Sequence, residues 1–116
     1  MDLYHVFFDL KPGTSDMTLV ENLDRYMGHL RGEGLIFGHR LTRAKLGFGL
    51  KGHGDWHLVI EVRDLAQLEA AFQHVASRRE PVEGAHFGVN SLVANPVFAL
   101  YRDFPDPVRV RGEEKF

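Results

Sequence analysis

The chain has seven histidines, the side chains best suited to acid–base or metal chemistry. Two of them take part in a repeated pattern, in which each is followed by a carboxylate. His5 is followed four residues later by Asp9, and His57 is followed at the same spacing by Glu61. Because an imidazole titrates near neutral pH, a histidine beside a carboxylate can act as a general base. The spacing therefore indicates two candidate His–carboxylate pairs, which are either structural ion pairs at a dimer interface, acid–base groups that line a cavity, or exposed residues without a special role.

The segments that carry these pairs match each other in residue class at seven consecutive positions, 4–10 (YHVFFDL) and 56–62 (WHLVIEV). Each alternates in the manner of a β-strand. Such a repeat is typical of a β-α-β-β-α-β fold with pseudo-two-fold symmetry, whose first and third strands are antiparallel neighbours. A symmetric register predicts three cross-strand pairs: Phe7 with Val59, His5 with Glu61 and Asp9 with His57.

The two strands present different faces. One is apolar and should lie beneath the helices; it comprises Tyr4, Val6, Phe8, Leu10, Trp56, Leu58, Ile60 and Val62. The other, called the outer face below, is half polar and half apolar; it comprises His5, Phe7, Asp9, His57, Val59 and Glu61. A mixed face of this kind is typical of a covered surface, and no remaining segment is long enough to cover it. We therefore expect a homodimer that packs outer face on outer face.

The remaining periodicity predicts the other elements. We expect strands at 3–10, 35–46, 56–63 and 97–103, helices at 16–31 and 64–77, and a short helix from 81 onward. Thr18 and Glu21 are spaced as a capping box for the first helix. The predicted architecture is α+β, with a four-stranded antiparallel sheet and helices on one face. We expect residues 1–104 to form one domain and residues 105–116 to form a C-terminal tail that is extended or disordered.

His86 is the histidine most favourably placed for a site beneath the helices. Helical spacing puts it beside Ala85 and Val89, facing the sheet, with Asn90 on the same flank. A histidine there is either a hydrogen-bonded core residue or a ligand-binding or catalytic group. The aromatic residues Tyr4, Trp56 and Phe72 form part of the core and could also wall a pocket for a planar substrate.

The predicted elements do not bring the other histidines together at one place, so no metal site is predicted. His29 and His74 lie away from the apolar stripes of their helices and should be solvated, and His53 falls in a loop. The pattern assigns no face to His39. Residues 47–52 match G-x-G-x-x-G, but a strand follows rather than a helix, so they are interpreted as a connector and not a nucleotide site.

Composition narrows the function classes. The chain has no cysteine, which excludes disulfides and thiolate chemistry, and a formal charge of −2 with scattered basic residues does not favour nucleic-acid binding. No segment approaches the roughly 20 apolar residues of a membrane span, and the N-terminus does not resemble a signal peptide. We expect a cytoplasmic protein.

Four runs carry a family resemblance: 40–43 (RLTR), 45–49 (KLGFG), 85–91 (AHFGVNS) and 99–105 (ALYRDFP). With them the chain resembles an uncharacterised bacterial branch of the dimeric α/β-barrel superfamily, in which two ferredoxin-like protomers pack sheet against sheet. That superfamily includes antibiotic-biosynthesis-type monooxygenases, muconolactone isomerases, stress-responsive barrel proteins and haem-degrading enzymes. It has no shared catalytic motif, so the resemblance implies the fold and not a reaction.

Three functional hypotheses follow. The first is a dimeric small-molecule-binding or structural module without a cofactor. The second is an enzyme similar to the cofactor-independent monooxygenases or isomerases of that superfamily, acting on a small aromatic or polyketide-like molecule, with His86 or one of the His–carboxylate pairs as general base. The third is haem binding or degradation, since some superfamily members use a histidine on the corresponding short helix. An enclosed pocket that reaches His86 would favour an enzyme, and a solid core there would favour a module.

Overall fold

Seven elements follow one another in the order β-α-β-β-α-α-β in the computed structural model, which describes residues 1–113. The strands are β1 (Asp2–Leu10), β2 (Gly38–Arg43), β3 (Trp56–Val62) and β4 (Val93–Arg102), and the helices are α1 (Asp16–Gly32), α2 (Leu65–Ala76) and α3 (Val82–Asn90). The predicted ferredoxin-like α+β fold is confirmed, including the short helix before the last strand. The tail has no helix or strand from 103 to 113, and its last three residues lie outside the described part.

The four strands form one antiparallel sheet in the order β2-β3-β1-β4, so the two repeat strands are central neighbours as predicted. All eight residues of the predicted apolar face belong to the core or pack against it. Phe8 and Val62 of the sheet and Leu19, Leu23 and Met27 of α1 are almost completely buried. The alternation of side chains along the strands therefore predicted the correct face.

The symmetric register was wrong by two residues. Phe7 pairs with His57 rather than Val59, and His5 pairs with Val59 rather than Glu61. A shift of two preserves which face each side chain occupies but changes its cross-strand partner. The pairing of β1 with β3 ends where Phe8 lies opposite Trp56. Asp9 is paired only on the other side of β1, with Ala94 of β4, after a register shift between Phe7 and Asp9. The predicted His5–Glu61 and Asp9–His57 pairs therefore do not form.

Several element boundaries also differ from the predictions. The predicted capping box is wrong: α1 has Ser15 at its N-cap without a side-chain hydrogen bond, whereas Asp64 caps α2 by accepting from the Gln67 N–H at 2.8 Å. Strand β2 is shorter than the predicted range 35–46. Ile36 is only 4% exposed because its side chain packs into the core, and the pairing of β2 with β3 begins after it, at Gly38. Strand β4 begins at Val93 rather than 97, and its Pro96 is tolerated because β4 is an edge strand.

Within residues 1–113, none of the helices is both long enough and apolar enough to cross a lipid bilayer.

Candidate functional site

A cavity of about 400 Å³ lies between the helices and the sheet. Its floor is the apolar face of β1, β3 and β4, and its walls come from all three helices. The space arises because α1 packs closely against α3, while α2 makes fewer contacts with the rest of the helical layer. Most wall residues are aliphatic or aromatic, and the polar side chains among them are those of Tyr4, Tyr26, His86 and Asn90.

Helix α3 brings His86 and Asn90 to the cavity, as their spacing of one helical turn predicted. His86 is half-buried, and its ring lies edge-on to that of Tyr26, with the ring centroids 5.5 Å apart. Asn90 is exposed, so it lies toward solvent in the cavity wall. An imidazole and an amide therefore face a space that is otherwise almost entirely apolar.

Tyr26 is a site residue that the sequence analysis did not single out, because its position in the apolar stripe of α1 suggested only core packing. Burial, and secondarily the charge that Tyr4 would carry, raises the pKa of Tyr26 to about 12. Burial also raises the pKa of Tyr4. Both phenols are therefore protonated at neutral pH, and the cavity disfavours negative charge. The sequence carries no signal that distinguishes Tyr26 from an ordinary core tyrosine, because the space that it lines is created by the packing of the helices.

The predicted aromatic wall forms in part. Tyr4 lies edge-on to Phe72 with ring centroids 5.4 Å apart, and it stacks with Phe98 at 5.9 Å; all three rings line the cavity. Trp56 is not in the cavity wall. It stacks with Phe8 at 6.4 Å and lies beneath the Arg43 guanidinium, 5.1 Å from the ring centroid.

The other predicted catalytic residues lie on the opposite side of the sheet. His5 and His57 contact each other there, with His5 Nδ1 and His57 Nε2 2.9 Å apart. Asp9 accepts a hydrogen bond from the Asn95 amide at 3.4 Å, and Glu61 stands opposite Leu3. The sheet separates all four from the cavity, so within one chain they cannot act together with His86.

Stacked rings surround the His5–His57 pair on the outer face. His57 stacks on Phe7 with centroids 4.2 Å apart, and Tyr101 lies edge-on to His5 at 5.0 Å. The Nε2 atom of His5 is buried and has no hydrogen-bond partner within residues 1–113. Burial lowers the pKa of both imidazoles, and the charge of His5 further lowers that of His57. The pair is therefore predominantly neutral at pH 7.

These lowered pKa values predict that the protein loses stability on mild acidification. In the unfolded chain both histidines take up protons near the ordinary pKa of 6.5, whereas the folded state resists protonation. The unfolded state then binds more protons, so the free energy of unfolding decreases as the pH falls below about 6.5. Urea denaturation at fixed protein concentration between pH 7.5 and 5.0 measures this decrease.

Replacing both members of the pair, His5 and His57, with Gln should flatten that pH dependence. An unaltered pH dependence in the double variant would contradict the assignment.

The structure also corrects the predicted solvation of two other histidines. His29 of α1 and His74 of α2 are half-buried and contact each other, with their Nε2 atoms 3.0 Å apart. His39 faces the helices, and its Nε2 lies 3.7 Å from an Asp24 carboxylate oxygen. No group of three or more His, Asp or Glu side chains within residues 1–113 is arranged to hold a metal ion.

Comparison with solved structures supports the fold. A protein from Arabidopsis thaliana superimposes with a TM-score of 0.66 at 12% identity, over 95% of this chain and all of that one. A dimeric ferredoxin-like protein of unknown function from Jannaschia sp. CCS1 gives 0.64 at 13% identity, over 89% of this chain and 100% of that one. An antibiotic biosynthesis monooxygenase gives 0.58 at 17% identity, over 90% of this chain and 100% of that one. At these identities the similarity concerns the fold alone.

No match to a curated protein was found. A protein-family model, however, matches the sequence from residue 1 to residue 116. The chain therefore belongs to the family of unknown function DUF6614.

Proposed function

We propose that this protein binds a small, uncharged, mainly aromatic molecule in the cavity between its helices and its sheet. The observation that carries the proposal is the cavity itself: about 400 Å³, apolar walls, and a few polar groups that face inward. Binding sites for small molecules typically enclose about 300–1,000 Å³ and combine apolar walls with a small number of polar groups.

The polar groups define the ligand chemistry. Two protonated phenols, Tyr4 and Tyr26, can donate hydrogen bonds, and the amide of Asn90 can donate and accept. The raised tyrosine pKa values show that burial penalises an anion in this space. The rings of Tyr4, Phe72 and Phe98 offer edge and face contacts to a flat ligand. A phenol, a quinone or a related polycyclic carbonyl compound meets these requirements.

Filling the cavity should abolish binding. Ala71 lines the cavity and is 5% exposed, so Ala71→Leu places three additional carbon atoms in the ligand space. We expect wild-type protein to show a ligand-dependent rise in Tm with at least one member of a panel of phenols and quinones, because a ligand that binds only the folded state stabilises it. In Ala71→Leu the same ligand should produce no rise.

The matched control is Ala70→Leu, which makes the same change at the neighbouring exposed position of α2 and should keep the wild-type response. If Ala71→Leu folds and binds as tightly as wild type, the ligand occupies another site. If no panel member shifts the wild-type Tm, the cavity does not bind this class of molecule.

A second candidate function is proton transfer on the bound ligand. It is favoured by one observation, that the cavity reaches His86, which lies against Tyr26. A neutral imidazole can accept a proton from an acidic carbon of the ligand and return it to another position, which is an isomerisation. A monooxygenation at the same site would additionally require O₂ as co-substrate.

His86→Gln separates binding from proton transfer. We expect this variant to retain ligand affinity within a few-fold, because Gln keeps a hydrogen-bonding side chain, while any turnover is lost. Haem belongs in the same titrations: a Soret shift that His86→Gln removes would favour the haem-binding alternative, and an unchanged Soret band in wild type would count against it.

We further propose that the protein works as a homodimer that buries the outer face. The Jannaschia neighbour is dimeric. In this chain, Phe7, Val59 and the His5–His57 pair are only half-buried, which leaves a mixed aromatic and apolar surface that a second subunit could cover. Because the cavity opens on the other side of the sheet, dimerisation through this face leaves the cavity accessible.

A cytoplasmic location stays a prediction from the sequence.

A further inference from the structure

We propose that the loop between β2 and β3 (residues 44–55, called the β2–β3 loop) docks on an anionic lipid bilayer and inserts its apolar tip among the lipid headgroups. The tip consists of Leu46, Phe48 and Leu50, which are 84%, 85% and 59% exposed. These large side chains are separated from one another only by glycines, so no bulky neighbour shields them. A run of apolar side chains that is held in water in this way indicates an interaction surface.

The backbone of the loop presents this tip to solvent at a conformational cost. The Phe48 N–H donates to the Lys45 carbonyl oxygen at 3.0 Å, which closes a four-residue turn. The two central residues of the turn, Leu46 and Gly47, have φ values of 56° and 78°. Such turns favour Asn-Gly, because asparagine and glycine tolerate positive φ and leucine rarely adopts it. Folding alone does not favour leucine at this position, so the side chain is better explained by a contact that it makes outside its own chain.

The charge around the tip is positive. Lys45 and Lys51 stand on either side of the apolar run, both are exposed, and neither ammonium group belongs to an ion pair within residues 1–113. Residues 40–54 contain four Lys or Arg and no Asp or Glu, in a chain whose formal charge is −2. Of these cations Arg43 is already engaged, 3.6 Å from an Asp16 carboxylate oxygen. The two lysines therefore remain available for an anionic partner.

A bilayer fits this arrangement better than a protein surface does. An interfacial segment combines apolar side chains that enter the headgroup region with lysines that contact lipid phosphates. A two-fold contact between the loops of two copies would instead bring their lysines together, and like charges repel. None of the helices within residues 1–113 crosses a bilayer, so the contact is peripheral. The loop contributes no residue to the cavity wall, so membrane contact and ligand binding are separate properties.

Vesicle flotation of the full chain tests the proposal. We expect the protein to float with vesicles of phosphatidylcholine that contain about one third phosphatidylserine. With pure phosphatidylcholine the binding should fall at least about tenfold, because each lysine near an anionic surface contributes roughly fivefold.

Two variants of the tip separate membrane insertion from a structural role of the loop. Leu46→Asn supplies the residue that the turn favours, so Tm should equal or exceed that of wild type while vesicle binding falls at least about fivefold. Phe48→Ser should weaken vesicle binding at least about tenfold. The matched control is Phe87→Ser, which removes another exposed phenylalanine, 64% exposed on α3, and should bind vesicles as wild type does.

A fluorescent label reports insertion directly. The chain has no cysteine, so Leu50→Cys provides a single attachment site for a nitrobenzoxadiazole dye, and Ala70→Cys on the exposed surface of α2 is the control position. We expect anionic vesicles to increase and blue-shift the emission at position 50 and to leave it unchanged at position 70.

Three results would overturn the proposal. The first is that wild-type protein does not float at millimolar anionic lipid. The second is flotation that Leu46→Asn and Phe48→Ser leave unchanged, which would show binding without insertion of the tip. The third is that these variants weaken dimerisation but not flotation, which would show that the tip contacts a second copy of the chain.

Discussion

Val59→Lys is expected to convert the dimer into a folded monomer. Val59 lies at the centre of the outer face, between His5 of β1 and Arg40 of β2. In a two-fold symmetric dimer every substitution occurs twice, so the interface would contain two additional lysine ammonium groups, each beside the guanidinium-bearing Arg40 of its own chain. Burying an unpaired charge costs several kcal/mol, and each 1.4 kcal/mol is a factor of ten in affinity. We expect the dimer dissociation constant to increase at least about a hundredfold.

Sedimentation velocity and light scattering across a range of micromolar concentrations measure the effect, and circular dichroism reports whether the monomer is folded. The control is Ala70→Lys, which adds the same charge to the exposed surface of α2 and should leave the dimer intact. A wild-type protein that is monomeric, or a Val59→Lys variant that dimerises with wild-type affinity, would show that the outer face is not the interface. Neither result would bear on the cavity, which lies on the other side of the sheet.

Gly54→Ala is expected to be strongly destabilising. A Cβ at this position would overlap the carbonyl group of Phe8 and crowd the backbone nitrogen of Asp9. Both are backbone atoms of the central strand, so the clash cannot be relieved by a side-chain rotation. Overpacking typically costs 1–3 kcal/mol, and we expect a loss of about 3 kcal/mol in the free energy of unfolding. Urea denaturation measures it directly.

Gly28→Ala provides the contrast. It lies in α1, where an added Cβ meets no neighbouring atom, and Ala is the better helix former by roughly 0.5–1 kcal/mol. This variant should therefore be slightly more stable than wild type. Wild-type stability in Gly54→Ala would mean that the connector between β2 and β3 does not lie against β1.

Periodicity explains why much of the fold could be predicted. Residues two apart in a strand share a face whatever the partner strand does, so the apolar and outer faces of β1 and β3 were assigned correctly. Residues four apart in a helix share a flank, so the spacing places His86 and Asn90 together, and both line the cavity. These relationships are local, and the sequence alone is sufficient to determine them.

Contacts between elements depend on distances that local periodicity does not contain. A register shift of two residues leaves every face unchanged, so the sequence could not distinguish a His5–Glu61 pair from the observed His5–His57 contact. The meeting of His29 and His74 depends on how far apart α1 and α2 lie, and the inclusion of Tyr26 in the site depends on where the three helices leave a space. The sequence by itself determined the type and order of the elements, the two faces of β1 and β3, and the family. Only the tertiary structure decided which side chains meet across the sheet and between the helices, because packing, and not pattern, sets the separation of elements that are distant in the chain.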